Sequence, residues 1–392
     1  MEKQESKFTI EPFSLNLFSQ VYDADKNIVV SPLSIAIALL LVQTGACKES
    51  KDEILKLFKL SGIKSKKEVD ETINSFLTAL DSNTGNLQKA VSVWCFENDF
   101  GVYVKKEFNE RMKKYGSEIF SVSVKKDNVV GIANEWISKK TNGLINDFIK
   151  NGDFDLNTVL ALINTLYFNE KWKKQFDEKL SGYREFTDSK NNSHKVKFMC
   201  KNESKELFFQ NKIFKALKLE YSSSYSMELF LPVDKNTLQD VLGELHSFVD
   251  SMYSEEEVDI ACPVFKFESQ IDVIEPLIKL GVKAIFDKDL ANFSDAFINS
   301  KGVRVDKFKS LTKIDCNEKG TEAAAVTLTT FCYESMRYNK TFTANRPFIF
   351  MIRDKATNSI VFIGSIVDVT AFQIEQSDQD EQIRQTKRRR IK

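Results

Sequence analysis

The stretch NEKGTEAAAVTLTTFCYESM, residues 317–336, decides how the remainder of this 392-residue chain is read. It gives position after position to Thr and Ala, in a chain whose 32 phenylalanines show a general preference for bulk. It has no proline and one glycine, Gly320, so it lacks the composition of a flexible linker. It shows neither an apolar helix face nor the large alternating residues of an ordinary core strand. The reason for it has to come from its surroundings.

Upstream, helices come first. SPLSIAIALLLVQTGA sets Ser31 as an N-cap, Pro32 at the first helical position and Gly45 as the stop, around an apolar middle buried on most sides. KESKDEILKLFKL and SKKEVDETINSFLTAL follow with the spacing of surface helices. NEWISKKTNGLINDFI predicts another helix, ending near Gly143. From about Val159 the pattern turns to strands. VLALINTLYFNEKW is a long apolar run suited to a strand covered on both faces. ALKLEY and MELFLP, separated by SSSYS, predict a hairpin. VDIACPVFKFES alternates as one strand, and FIFMIRD with SIVFIGSIVDV predicts a closing hairpin. Helices first and strands later, without regular βα alternation or an internal repeat, predict one α+β domain over residues 1–372. After Phe372 the apolar pattern ceases, and QIEQSDQDEQIRQTKRRRIK, residues 373–392, reads as a polar, then basic, disordered tail.

Charge narrows the function classes. Lys plus Arg number 56 and Asp plus Glu number 56, so no net field draws the protein to nucleic acid, another polyanion or a membrane as its main partner. The N-terminal MEKQESKFTIEPFSLNLFSQ lacks the apolar core of a secretory signal. The longest apolar run, IAIALLLV at residues 35–42, is too short to cross a bilayer. Cys47, Cys95, Cys200, Cys262, Cys316 and Cys332 are scattered, without CxxC or metal-ligand spacing, and read as free thiols in a reducing compartment. A cytoplasmic protein is expected. The alternative is a mature secreted chain, and only there do the sequons at Asn191, Asn202, Asn292 and Asn339 matter.

Signs of catalysis are missing. The two histidines, His194 and His246, sit in no HExxH, and the chain has no GxSxG, GxxxxGK[ST] or GxGxxG. No catalytic residue, metal or cofactor is expected, and both imidazoles read as structural or surface groups.

Segments spread along the whole chain then carry a resemblance. NIVVSPLSIAIALLLVQTGA is similar to a known family's first buried helix. LINTLYFNEKWKKQF matches that family's N-x-x-Y-F-x-x-x-W segment and places Asn164 and Trp172. ACPVFKFES, LGVKAIF, ANFSDAF and NRPFIFMIRD follow in the family's order, and NEKGTEAAA matches the hinge of its reactive-centre loop. From about Phe8 to Phe372 the chain resembles a serpin of the intracellular, insect or viral type. The resemblance implies an α+β fold of three β-sheets and eight or nine helices, with an exposed reactive-centre loop at about residues 318–345. It implies a protease inhibitor, and no enzyme. A target serine protease, or in a wider reading a cysteine protease, cleaves the loop. The loop's N-terminal part then enters the large central sheet as an extra strand, and the protease is trapped as a covalent one-to-one complex with a monomeric inhibitor. The alternative is a non-inhibitory member acting as a binding, storage or chaperone-like protein.

On that resemblance the small-residue run acquires a reason. Side chains of an inserted strand alternate between faces, and the inward set counted from Thr321 is Thr321, Ala323, Ala325, Thr327 and Thr329. All are small, so none overpacks an interior where excess volume costs ~1–3 kcal/mol per site. Glu322, Ala324, Val326, Leu328 and Thr330 face the other way, and Glu318 and Gly320 complete the hinge. Such a hinge favours a working inhibitor. From Gly320 the commonest family spacing places the specificity residue at Glu334, with Ser335 beyond the scissile bond. A loop one residue shorter selects Tyr333, suited to an apolar chymotrypsin-like slot, and a longer loop selects Arg337, suited to an acidic trypsin-like pocket. Cys332 beside them reads as a small apolar side chain, with a redox-sensitive exposed thiol as the alternative.

Two features depart from the family's pattern. Ser310 stands where many members carry a histidine, in the polar cluster beneath the opening sheet. The partners matching that cluster, Ser31, Ser34 and Asn164, are present, and Trp172 is grouped with them. The basic end, Lys387, Arg388, Arg389, Arg390 and Lys392, matches a short nuclear address or a contact for nucleic acid or another polyanion. Lys64, Lys66 and Lys67 resemble the basic cluster of polyanion-activated members.

Overall fold

The computed structural model describes residues 10–58, 66–80, 87–96, 100–320 and 340–372. Among them are eight α-helices: Glu11–Val21, Pro32–Gln43, Lys48–Leu57, Lys66–Leu80, Lys106–Lys114, Val129–Lys140, Leu238–Leu245 and Ile274–Lys279. Local signals set their ends. Ser31 caps the Pro32–Gln43 helix, its Oγ accepting from the Ser34 amide at 3.2 Å. Every residue of that helix is buried, as its unbroken apolar middle requires. Gly45 beyond it is also a contact point, since a Cβ there would lie 2.5 Å from the Ala296 Cβ. The Val129–Lys140 helix is capped by Asn128 and ends just before Gly143, as its sequence predicts. Asn142 at φ 51° and Gly143 at φ 76° turn the chain, so LINDFI lies outside the helix. No described helix is long and apolar enough to cross a membrane.

The strands in chain order are β1 (Ile28–Val30), β2 (Leu87–Cys95), β3 (Tyr103–Val104), β4 (Glu118–Ser121), β5 (Leu160–Phe168), β6 (Gly182–Thr187), β7 (Ser193–Gln210) and β8 (Phe214–Glu220). They continue with β9 (Tyr225–Pro232), β10 (Ser254–Pro263), β11 (Phe265–Asp272), β12 (Phe297–Ile298), β13 (Val305–Cys316), β14 (Lys340–Thr343), β15 (Phe348–Asp354) and β16 (Ser359–Ile366). Among the described residues three sheets result, as expected of this α+β fold. One runs β1-β16-β15-β9-β8-β7-β10-β14 with β6 on β7, the second β11-β13-β5-β2-β4, and the third pairs β12 with β3. The two expected hairpins form, β8 against β9 and β15 against β16, both antiparallel.

VDIACPVFKFES, read as one strand, is two. Pro263 closes β10 because it brings no N–H to a ladder. Val264 donates instead to the Lys197 carbonyl at 2.9 Å, and Phe265 opens β11 in the other sheet.

The five-stranded sheet positions the site. β5 is buried at every residue. Leu160, Leu162, Leu166 and Phe168 join the main core with the Pro32–Gln43 helix. Ala161, Ile163 and Tyr167 face a second cluster around Trp94 and Trp136, which includes residues of the Val129–Lys140 helix. A strand covered on both faces needs no polar alternation. Its neighbour β13 runs parallel to it, with Val305 opposite Leu160 and, past a register shift, continuous pairing from Lys307 opposite Ala161 to Ile314 opposite Phe168. The flanking pairs, β2 with β5 and β11 with β13, are antiparallel.

Candidate functional site

β13 delivers the chain to residues 317–320, which turn against the segment that follows β5. The turn closes on itself, with the Asn317 amide donating to the Gly320 carbonyl at 2.7 Å and the Gly320 amide to the Asn317 carbonyl at 3.2 Å. Three donors from the facing segment hold it. The Trp172 amide donates to the Lys319 carbonyl at 3.0 Å, the Phe176 amide to the Glu318 carbonyl at 2.9 Å, and the Trp172 indole Nε1 to the Asn317 carbonyl at 2.8 Å. The indole is itself held by stacking on Tyr221, with centroids 4.3 Å apart and planes within 9°. Glu318 pairs with Lys197 at 2.6 Å, both side chains largely buried. Gly320 sits at φ 151°, where a Cβ would lie 2.0 Å from the Glu170 carbonyl oxygen. Backbone cannot yield that much, so this close approach requires glycine.

Beneath the β5–β13 seam lies the polar cluster. Asn164 Nδ2 donates to Ser34 Oγ at 2.8 Å, and Ser34 Oγ donates to the Ser31 carbonyl at 3.0 Å. Ser310 lies opposite Asn164 in register. It does not complete the cluster, because Asn164 Oδ1 and, next along, Thr165 Oγ1 are buried without a hydrogen-bond partner among the described residues. Unmet buried groups of this kind cost ~1–3 kcal/mol each, so the seam is less firmly closed than its apolar surroundings suggest. The structure brings Ser31, Ser34, Asn164 and Ser310 together and places Trp172 elsewhere, at the hinge with Glu318 and Gly320. Thr321, Glu322, Ala323, Ala324, Ala325, Thr327, Cys332, Tyr333, Glu334, Ser335, Arg337, Lys64, Lys387, Arg388, Arg389, Arg390 and Lys392 lie outside the described residues.

Lys201 supports the gripping segment and had no signature in the sequence. Its Nζ donates to the Lys174 carbonyl at 2.6 Å, lies 4.2 Å from the Phe176 ring centroid and 3.8 Å from a Glu206 oxygen. Burial pulls its pKa down to about 8; Glu206 opposes the shift and Lys174 adds to it. A lysine with a depressed folded pKa binds fewer protons folded than unfolded between pH 8 and its ordinary value. Stability therefore rises as pH climbs from 8 towards 10. Urea unfolding of wild type against Lys201→Met should show an extra gain on the order of 2 kcal/mol across that window in the wild type alone. Parallel pH dependence in the two proteins would contradict the assignment.

A sequence model of the family described as Serpin (serine protease inhibitor) matches residues 9–369. An uncharacterised serpin-like protein of Methanosarcina acetivorans is 30% identical over 368 residues, 90% of this chain and 84% of that protein. Tengpin, a thermophilic serpin in its native state, superposes with a TM-score of 0.81 at 28% identity, covering 91% of this chain and 92% of that one. Thyroxine-binding globulin in complex with thyroxine shares the fold at a TM-score of 0.80 and 23% identity, over 91% of this chain and 97% of that one. The chain belongs to the serpin family, whose members mostly inhibit proteases and are not enzymes.

Proposed function

We propose that this protein is a suicide-substrate inhibitor of a serine protease, trapping its target by inserting the cleaved loop between β13 and β5. The observation that carries the reading is the parallel seam with the hinge at its end. A chain that reverses at Gly320 and re-enters between two parallel strands, starting from the end of β13, runs antiparallel to both. One slanted parallel ladder is exchanged for two antiparallel ones. About ten inserted residues gain a comparable number of backbone hydrogen bonds, each worth ~1 kcal/mol net. A driving force on the order of 10 kcal/mol is thereby available to outrun hydrolysis of the acyl-enzyme. The protease serine attacks the Glu334 carbonyl, the bond to Ser335 breaks, and the new amine leaves at the head of the C-terminal peptide.

A protease panel tests this: chymotrypsin-like, trypsin-like, elastase-like, glutamyl-specific and cysteine enzymes. The expected result is a complex that survives denaturing electrophoresis, with a released peptide beginning at Ser335. A peptide beginning at Glu334 or Tyr338 would move the bond to Tyr333 or Arg337. Complete cleavage within residues 333–337 without any complex would overturn inhibition.

A further inference from the structure

Away from the hinge, one cluster sets an imidazole between two carboxylates. Asp188 lies in the turn between β6 and β7, His194 is the second residue of β7, and Asp368 follows β16. One ligand atom from each lies within 4.8 Å of the other two. The three side chains are positioned in advance. Asp188 Oδ1 accepts from the amides of Lys190 and Asn192 at 2.8 Å each. Its Oδ2 accepts from Asn192 Nδ2 at 3.0 Å and faces His194 Nε2 at 2.7 Å. Asp368 Oδ1 accepts from the amide and hydroxyl of Thr370 at 2.7 and 2.6 Å. Asn27 holds the Asp368 backbone, accepting from the amides of Val367 and Asp368 and donating to the Asp368 carbonyl. The Ser189 amide, donating to the Val367 carbonyl at 2.9 Å, ties the turn to the same segment.

Charge is the second observation. Among the described residues no Lys or Arg pairs with Asp188 or Asp368, and His194 is the sole basic partner. With a neutral imidazole the cluster carries two negative charges, and the Asp188 side chain is only 6% exposed. Two carboxylates without a Lys or Arg partner, one buried and one half-buried, thus share a single imidazole.

We propose that Asp188, His194 and Asp368 bind one divalent transition-metal ion of the zinc class, with water completing the coordination. One nitrogen and two carboxylate oxygens suit zinc, whereas calcium takes six to eight oxygens. Bonds of about 2.0–2.1 Å in tetrahedral array set donor atoms about 3.3 Å apart, so His194 Nε2 and Asp188 Oδ2, now hydrogen-bonded at 2.7 Å, separate slightly while the Asp368 carboxylate moves in. His194 binds as the tautomer protonated on Nδ1, and a protonated His194 releases its Nε2 proton to solvent. The hydrogen bonds on Asp188 serve as the outer shell that orients a ligand. The ion would clamp the β6–β7 turn to the end of β16, and it does so whether or not the protein inhibits a protease.

Calorimetric titration of chelator-treated full-length protein with Zn²⁺ should give one ion per chain and a rising thermal midpoint. His194→Gln and Asp368→Asn should each weaken binding by more than about tenfold, while His246→Gln leaves it unchanged. Co²⁺ should give a spectrum without a thiolate charge-transfer band. In wild-type protein it should also broaden the NMR resonances of His194 and not those of His246, a readout that needs no variant to fold. Absence of binding up to millimolar Zn²⁺, a thiolate band, or wild-type affinity in the His194 and Asp368 variants would overturn the site.

Discussion

Thr321→Arg is expected to turn the protein from an inhibitor into a substrate. Thr321 follows the clamped Gly320 directly and is the first of the inward-facing set. A chain re-entering the seam meets the end of β5 at Phe168, which packs edge-on against Tyr221 with centroids 5.0 Å apart, beside the Trp172 stack. An unpaired guanidinium forced into such an interior costs several kcal/mol, and the cost falls on the first step of insertion. Trapping is a race between insertion and hydrolysis of the acyl-enzyme. Raising the insertion barrier by about 3 kcal/mol slows it more than a hundredfold. Denaturing gels should show the covalent complex fall to a trace and the cleaved form accumulate, with the rate of loop cleavage unchanged. Ala324→Arg, on the opposite face, should still trap the target. A persisting complex with Thr321→Arg would remove insertion from the mechanism.

Cutting the loop of the isolated protein, with a protease that it does not trap, should raise its thermal midpoint by about 10–15 °C. The magnitude follows from the seam. A gain on the order of 10 kcal/mol from new ladder bonds is set against an unfolding entropy of about 2.1 cal/mol/K per residue, over 392 residues. Differential scanning calorimetry before and after cleavage reads the shift directly. An unchanged midpoint would mean that the loop stays out of the sheet, and trapping by insertion would be overturned.

Much of the fold was legible because its signals are local. The Pro32–Gln43 helix announces itself through Ser31, Pro32 and an apolar interior, and the β8–β9 and β15–β16 hairpins through paired runs around polar turns. The break inside VDIACPVFKFES was not, because alternation continues smoothly through Pro263 while the partner strand changes. Whether a run belongs to one sheet or two depends on residues far away in sequence. The hinge was legible as a motif, but its fastenings were not. Lys197, Lys201, Glu170 and Tyr221 come from three different strands and their ends, and no spacing connects them to residues 317–320. The meeting of Asp188, His194 and Asp368 was illegible for the same reason, since Asp368 lies far along the chain from the other two.

The position of the closing hairpin bears on how the chain can be made. β16 and β15 are the second and third strands of the nine-stranded sheet, lying between β1 near the N-terminus and β9. Until they emerge from the ribosome, β9 has an open edge and β1 has no partner in that sheet. Synthesis adds roughly 5–20 residues per second, so the apolar β9 waits several seconds with that edge open while the residues between it and β15 are made. The nine-stranded sheet cannot close before then, and a chain that stalls before residue 348 presents a ready edge for pairing with its neighbours.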